Sequence, residues 1–306
     1  MKAAIDIGTN TVLLLVGELK SGKLHTIREE QRIPRLGRGV DADRLINQKA
    51  TERVTNALLD YKGILEANYP EAEEVIVTAT SAVRDAQNKD EFIHSIKMKT
   101  GFEIRLLSGE EEADWTASGA LSVLNIPHKA ETLILDIGGG STEVAHLKNG
   151  EIADGYSYDM GCVRFTERFF ASDPPPEHEI ENCRQEVRRM FEQRSFQNIG
   201  APLAVGVAGT VTSLAAISLG LETYEPGKMA GYTLNRTEIE EVIHQFQENK
   251  TETMLHRYPE FLQGRSDIFL AGMLILTGFL DQFSLDSIKV STGGIRHGAI
   301  LKHHKD

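Results

Sequence analysis

Asp136 is followed by Ile137, three glycines (Gly138, Gly139, Gly140), then Ser141, Thr142 and Glu143. Glycine lets backbone approach a ligand closely. Successive N–H groups in such a turn form an anion-binding concavity. The acid cannot itself hold a phosphate, because like charges repel. Asp136 beside a phosphate loop therefore implies a divalent cation, or a water held by one, between the two anions. The competing account is a plain hairpin turn, for which Gly-Gly is a good signal.

A second copy weighs against that account. Asp6-Ile7-Gly8-Thr9-Asn10-Thr11 matches Asp136-Ile137-Gly138-Gly139-Gly140-Ser141 at an offset of 130 residues. The next turns also correspond, Lys20-Ser21-Gly22 with Lys148-Asn149-Gly150, at an offset of 128. A two-residue shortening in a surface hairpin explains the change. The pattern is an internal duplication with one phosphate-type loop in each half.

Other stretches carry candidate chemistry. Arg32, Arg35 and Arg38 lie in a Pro- and Gly-containing loop, either a polyanion-facing segment or a solvated basic loop. Thr80, Ser81 and Arg84 follow an apolar run, which suits anion capture or an ordinary helix N-cap. Ser108 precedes Glu110, Glu111 and Glu112. Capping and the helix dipole account for one or two of these acids. The third is one turn in, where a general base could point at a ligand. Gly209 and Thr210 open a third strand–turn–helix loop suited to phosphate. Arg296 and His297 face either ligand or solvent.

The elements that must position these residues follow from periodicity. Strands are expected at 2–7, 12–19 and 24–30, an antiparallel meander. Helix 46–67, strand 75–78, helix 91–99, strand 102–107 and a helix from Ser108 follow. The second half repeats the order: strands 132–137, 142–147 and 152–158, helices from about 165 and over 176–191, then strand 203–207 and a helix. Residues 221–231 read as a loop. Helices at 237–247, 251–257 and 267–283, strand 287–291 and a terminal helix complete the chain.

The 306 residues suggest two domains, and 41% apolar with 25% charged residues is ordinary for a globular chain. A net charge of −12 argues against nucleic-acid or membrane-surface binding. A polyanionic ligand would then need local cations or a metal. Cys162 and Cys183 fit no metal spacing or disulfide framework, so a reducing cytoplasm is expected. The start of the chain lacks the features of a signal peptide. The longest apolar run, Ile268 to Leu280, is too short to span a bilayer.

Two meander-plus-helix halves, each led by Asp-x-Gly, resemble the actin-like ATPase superfold. The chain resembles one family within it, the exopolyphosphatase/guanosine pentaphosphate phosphohydrolase family. The resemblance rests on Ala4–Thr11, Thr80–Arg84, Ser108–Ala113, Asp136–Glu143, Met160–Phe165, Gly206–Thr210, Gly264–Asp267 and Ser291–Arg296. It implies an α/β fold of duplicated ribonuclease H-like domains with an interdomain active-site cleft. The expected domains are 1–124 and 125–292, with a terminal helix at about 293–306 packing back on the first.

The resemblance also implies roles. Gly8, Thr9, Asn10 and Thr11, with Gly138, Gly139, Gly140 and Ser141, would hold phosphates by backbone N–H groups. Arg84 would clamp a phosphate, and Gly209 and Thr210 would add a third contact. Glu112 falls where the family places its catalytic base. Glu143 and Asp136, with Asp6, fall where carboxylates surround Mg²⁺ and the attacking water. Arg32, Arg35, Arg38, Arg84, Arg164 and Arg265 would face the cleft. Thr9-Asn10-Thr11 replaces the Ser-Asn-Ser of many members, a conservative departure. The C-terminal helical domain of larger members is expected to be absent, which bears on chain-length preference.

The expected reaction is release of terminal orthophosphate from polyphosphate. Its nearest rival is the same chemistry on guanosine pentaphosphate. A guanosine tetra- or pentaphosphate sensor and a sugar or acetate-type kinase are more distant alternatives. A homodimer is expected by family analogy.

Overall fold

The structure, a computed structural model, describes residues 1–303 except 73, 128, 195, 197, 198 and 201. Residues 304–306 of the expected terminal helix lie outside the described residues. The chain divides into two compact units, Met1–Ser122 with Gly293–Asp306, and Val123–Thr292.

The first unit is built on strands β1 (Lys2–Ile7), β2 (Val12–Lys20), β3 (Lys23–Arg32), β4 (Glu74–Ala79) and β5 (Ile104–Leu106). Their order in the sheet is β3-β2-β1-β4-β5. β1 pairs antiparallel with β2 and parallel with β4. Alternation on β1 sends Ala3, Ile5 and Ile7 to one face. There they pack with Val54, Leu58 and Tyr61 of the Gln48–Asn68 helix and Phe92 and Ile96 of the Lys89–Thr100 helix. Ala4 turns to the other face, against Trp115 of the Gly109–Ser122 helix and Ile295, Ala299 and Ile300 of the Ile295–Lys302 helix. Asp6 shares that second face by period. The two helices over it meet backbone to backbone: a Cβ on Gly298 would lie 1.9 Å from the Trp115 carbonyl, and one on Gly119 1.9 Å from that of Gly294.

The second unit carries β6 (Thr132–Ile137), β7 (Thr142–Lys148), β8 (Glu151–Tyr158), β9 (Leu203–Val207), β10 (Thr233–Asn235) and β11 (Ser287–Val290). The order is β10-β11-β9-β6-β7-β8. Reversed, it reproduces the first sheet and adds β10 at the edge. Leu133, Leu135 and Ile137 of β6 enter a large core with the Ser266–Gln282 helix, whose Phe269, Met273, Leu276 and Phe279 are all but fully buried. That helix is the longest apolar run of the chain. Among the described residues, no helix is long and apolar enough to cross a membrane.

The duplication extends to fine geometry. Ser21 and Gly22 adopt φ of 53° and 76°, and Asn149 and Gly150 adopt the same pair. Both turns therefore have the mirror-image geometry that matches strand twist. Both meanders also carry a register shift, between Val16 and Gly17 in one and His146 and Leu147 in the other. The repeated sheet order is that of the ribonuclease H-like fold, and its duplication makes this an actin-like ATPase fold of the α/β class. Short elements not expected from periodicity include β10 and the helices Val40–Asp43 and Pro259–Leu262. The 221–231 stretch, read as a loop, contains a helical turn, Pro226–Met229, begun by a proline at its first position. β3 runs on to Arg32, so that residue is strand rather than loop.

Candidate active site

In the first unit the loop Gly8–Thr11 closes on itself, the Gly8 amide donating to the Thr11 carbonyl at 2.9 Å. The segment after β3 clasps it: the Arg35 amide donates to the Asn10 carbonyl and the Gly37 amide to the Thr9 carbonyl. Thr9 Oγ1 lies 2.9 Å from Ser81 Oγ, which ties the loop to the turn after β4. Both belong at the carboxyl ends of parallel neighbours β1 and β4, the usual ligand end of such sheets. Asp6 Oδ1 accepts from the hydroxyl of Thr78, its neighbour in the parallel register, at 2.9 Å.

Arg84 lies on the short Ser81–Asp85 helix. Its Nη1 donates to Glu112 Oε2 at 3.0 Å and to the Leu107 carbonyl at 3.0 Å. The three consecutive acids divide their roles. Glu111 and Ser108 form a reciprocal cap, with the Ser108 amide donating to Glu111 Oε2 and Ser108 Oγ accepting from the Glu111 amide. The Ser108 amide and Arg105 together hold the Glu111 carboxyl below its usual range. Glu112, one position on, turns inward and is only 7% exposed. Burying a carboxylate is costly unless it is paired, and Arg84 supplies the pairing.

In the second unit the loop Gly138–Ser141 has the same closure, Gly138 amide to Ser141 carbonyl at 3.0 Å. Here the clasp is the start of the Cys162–Phe169 helix. The Cys162 amide donates to the Gly138 carbonyl, and the Val163 and Arg164 amides to that of Gly139. Gly161 makes this possible, since a Cβ there would lie 2.5 Å from the Gly139 carbonyl. Thr142 Oγ1 fastens the loop's exit to the Met160 carbonyl at 2.7 Å.

Asp136 and Glu143 stand directly opposite each other in the antiparallel β6–β7 register, so their side chains share one face. Glu143 is 2% exposed and accepts from Ser157 Oγ at 2.6 Å. Two carboxylates opposed in this way repel unless something positive lies between them. The first unit has no such pair, because Leu13 stands opposite Asp6. Among the described residues, no group of three or more His, Cys, Asp or Glu side chains is placed to hold a metal.

Gly209 and Thr210 lie at the start of the Ala208–Ser218 helix. Thr210 is buried against Gly272 of the Ser266–Gln282 helix. Gly209 faces Arg265, whose Nη1 would be 2.2 Å from an added Cβ. That arginine also reaches Ser213 Oγ at 3.3 Å. Arg164 is buried, its Nη1 3.9 Å from Asp159. Arg32 pairs with Glu30 and lies over the Tyr61 ring. His297 is buried and Arg296 bonds to the Leu14 carbonyl and Glu29. Burial pushes the thiols of Cys162 and Cys183 up to about 12, so neither is a thiolate nucleophile at neutral pH.

The model of the Ppx/GppA phosphatase family matches residues 15–306. The chain belongs to the Ppx/GppA phosphatase family. Among members of this family it is 33% identical to exopolyphosphatase 2 of Mycobacterium tuberculosis, over 98% of this chain and 97% of that one. The solved structure of the Aquifex aeolicus Ppx/GppA enzyme is 30% identical, with a TM-score of 0.82 and 98% of both chains covered. An exopolyphosphatase structure from Cytophaga hutchinsonii gives a TM-score of 0.89 at 25% identity, covering 99% of this chain and 98% of that one. Membership in the Ppx/GppA family makes the chain a phosphatase acting on phosphoanhydride bonds.

Sequence reasoning missed Ser157, Thr78, Gly37 and Gly161. The two hydroxyls are visible only once the strand registers are known. The glycines do occur near the motifs, but their backbone-to-backbone clasp has no local pattern.

Proposed function

We propose that this chain is an exopolyphosphatase that releases terminal orthophosphate from inorganic polyphosphate. The observation that carries the reading is near-full-length 33% identity to a curated exopolyphosphatase. The paired, inward-turned Glu112 supports it. The first unit contributes Glu112 as the base that orients and deprotonates water, with Arg84 able to move from Glu112 to a phosphate oxygen. With the Gly8 and Gly138 amides spent on closing the loops, the N–H groups of Thr9–Thr11 and Gly139–Ser141 bind phosphate, and Gly209 and Thr210 extend that set. Phosphoryl transfer has a loose transition state, so positioning and electrostatics carry the rate.

Asp136 and Glu143 offer hard oxygen donors without thiol or imidazole, a set that suits Mg²⁺, which takes one or two carboxylates and fills its shell with water and substrate phosphate. Asp6, bonded to Thr78, is the weaker candidate ligand. The ion would neutralise charge on the transferring group when bound. The reading includes a cytoplasmic homodimer, supported by two free buried cysteines and by family analogy respectively.

The deciding assay is phosphate release from long-chain polyphosphate and, in parallel, from guanosine pentaphosphate. It is run with Mg²⁺ or chelator, on wild type and Glu112→Gln. Mg²⁺-dependent release from polyphosphate that collapses in the variant is expected. Release from guanosine pentaphosphate alone would reassign the substrate.

A further inference from the structure

Asp136 of β6, Glu143 of β7 and Ser157 of β8 form one row across three strands, since Glu143 stands opposite Asp136 on one side and Ser157 on the other. Ser157 Oγ donates to Glu143 Oε1 at 2.6 Å, in the short range of a hydroxyl bonded to a carboxylate. An ionised carboxylate only accepts, so the direction of this bond is fixed. Val207 flanks Asp136 on the far side, which leaves Ser157 as the hydroxyl of the row. The corresponding row of the first sheet reads Asp6, Leu13 and Gln31. There the second acid is absent, and glutamine takes the third place. The hydroxyl given to Asp6 comes instead from Thr78, on the parallel neighbour β4. The serine on β8 therefore accompanies the second carboxylate rather than the sheet topology, which both units share. The register shift between His146 and Leu147 leaves Ala153 outside the pairing and delivers Ser157 to Glu143.

We infer that Ser157 is a positioning residue, which holds the Glu143 carboxylate in the orientation that a divalent cation shared with Asp136 requires. The inference rests on reading those two acids as cation ligands. Glu143 is buried, and packing confines its stem. The terminal torsion of a glutamate is broad, so packing on the stem leaves the plane of the carboxylate free to turn. The bond to Oε1 fixes that plane. Carboxylates that ligate metals are in turn hydrogen-bonded, and losing the outer partner weakens metal binding about 10- to 100-fold. Mg²⁺ demands near-ideal octahedral geometry, whereas Ca²⁺ accepts a flexible shell. Orientation by Ser157 therefore favours Mg²⁺ over Ca²⁺. A hydroxyl that merely satisfied a buried carboxylate would stabilise the metal-free fold and leave that preference unchanged.

The test uses full-length wild type, Ser157→Ala, Ser157→Thr and Asp136→Asn, without any phosphate substrate. Melting temperature against Mg²⁺ and, separately, Ca²⁺ concentration gives an apparent Kd for each ion. Ser157→Ala should weaken Mg²⁺ binding about 10- to 100-fold and Ca²⁺ binding by a smaller factor. Ser157→Thr keeps the hydroxyl on a residue that suits a strand, and it should restore both. An unchanged Mg²⁺ Kd in Ser157→Ala, an equal loss for both ions, or a threonine variant that behaves as alanine overturns the inference. A Mg²⁺ response that survives Asp136→Asn places the cation elsewhere and removes the inference with it. Failure of the wild type to release phosphate from polyphosphate defeats the exopolyphosphatase reading alone, because these titrations contain no substrate.

Discussion

Arg84 Nη1 sits 3.0 Å from Glu112 Oε2 and bridges the same carboxylate to the Leu107 carbonyl. One guanidinium thereby fixes the direction of a carboxylate that the helix alone would leave to rotate. The pair also stores a choice. In the proposed reaction, a phosphate that draws Arg84 away would free Glu112 to take a proton from water.

Glu112→Gln should keep the fold and the hydrogen bond to Arg84 while lowering kcat about 10²- to 10⁴-fold, the usual contribution of general-base catalysis. Arg84→Gln should lower kcat/KM as well and cost about 1.5–3 kcal/mol of stability, because Glu112 loses a charged partner. Steady-state kinetics with denaturant melts of both variants separate the two effects. A Glu112→Gln enzyme with wild-type kcat would remove Glu112 from the reaction.

Asp136 and Glu143 oppose each other across β6 and β7. Asp136→Asn should therefore stabilise the metal-free protein by about 0.2–1 kcal/mol, the range for cross-strand pairs. Wild type should gain melting temperature with increasing Mg²⁺, since a ligand of the native state stabilises by mass action. The Asp136→Asn variant should not. An equal Mg²⁺ response in both would place the cation elsewhere.

Gly161 and Gly63 make a matched test of backbone packing. Alanine at 161 would press on the Gly139 carbonyl from 2.5 Å, so Gly161→Ala should displace the phosphate-type loop and cut activity severely. Alanine at 63, in an exposed helical position with nothing within 4 Å, should stabilise by about 0.4–1 kcal/mol. Thermal melts and phosphate release on both variants check the contrast.

His297 is buried, and desolvation, aided by Arg296, pushes its pKa down to about 3. The unfolded chain takes up that proton near pH 6.5, the folded one far lower. Stability is therefore fully present above pH 6.5 and is lost as pH falls toward 3. The loss between pH 8 and pH 5 should be about 2 kcal/mol. His297→Gln should flatten that part of the profile. Urea melts across the pH range give the measurement, and an unchanged slope in the variant would exclude His297 as the source.

The sequence by itself determined the repeated architecture. Asp6 and Asp136, each leading a glycine and hydroxyl turn, and the paired Lys-x-Gly hairpins are local features. Their φ requirements and period-2 burial are set by residue type, so the two meanders and both loops were legible. The Ser108 cap was legible for the same reason, and it left Glu112 as the acid without a capping duty. The Arg84–Glu112 pair was not legible, because 28 residues of chain separate its members and only β5 and the following helix return Glu112 to Arg84. Register was likewise decided in three dimensions. Strict pairing from the Lys148–Glu151 turn would set Tyr156 opposite Glu143, whereas the shift between His146 and Leu147 sets Ser157 there. A bulge moves every later side chain by one position and so exchanges faces. No composition or spacing encodes that exchange, so the partner of a site carboxylate is fixed by how the strands pack.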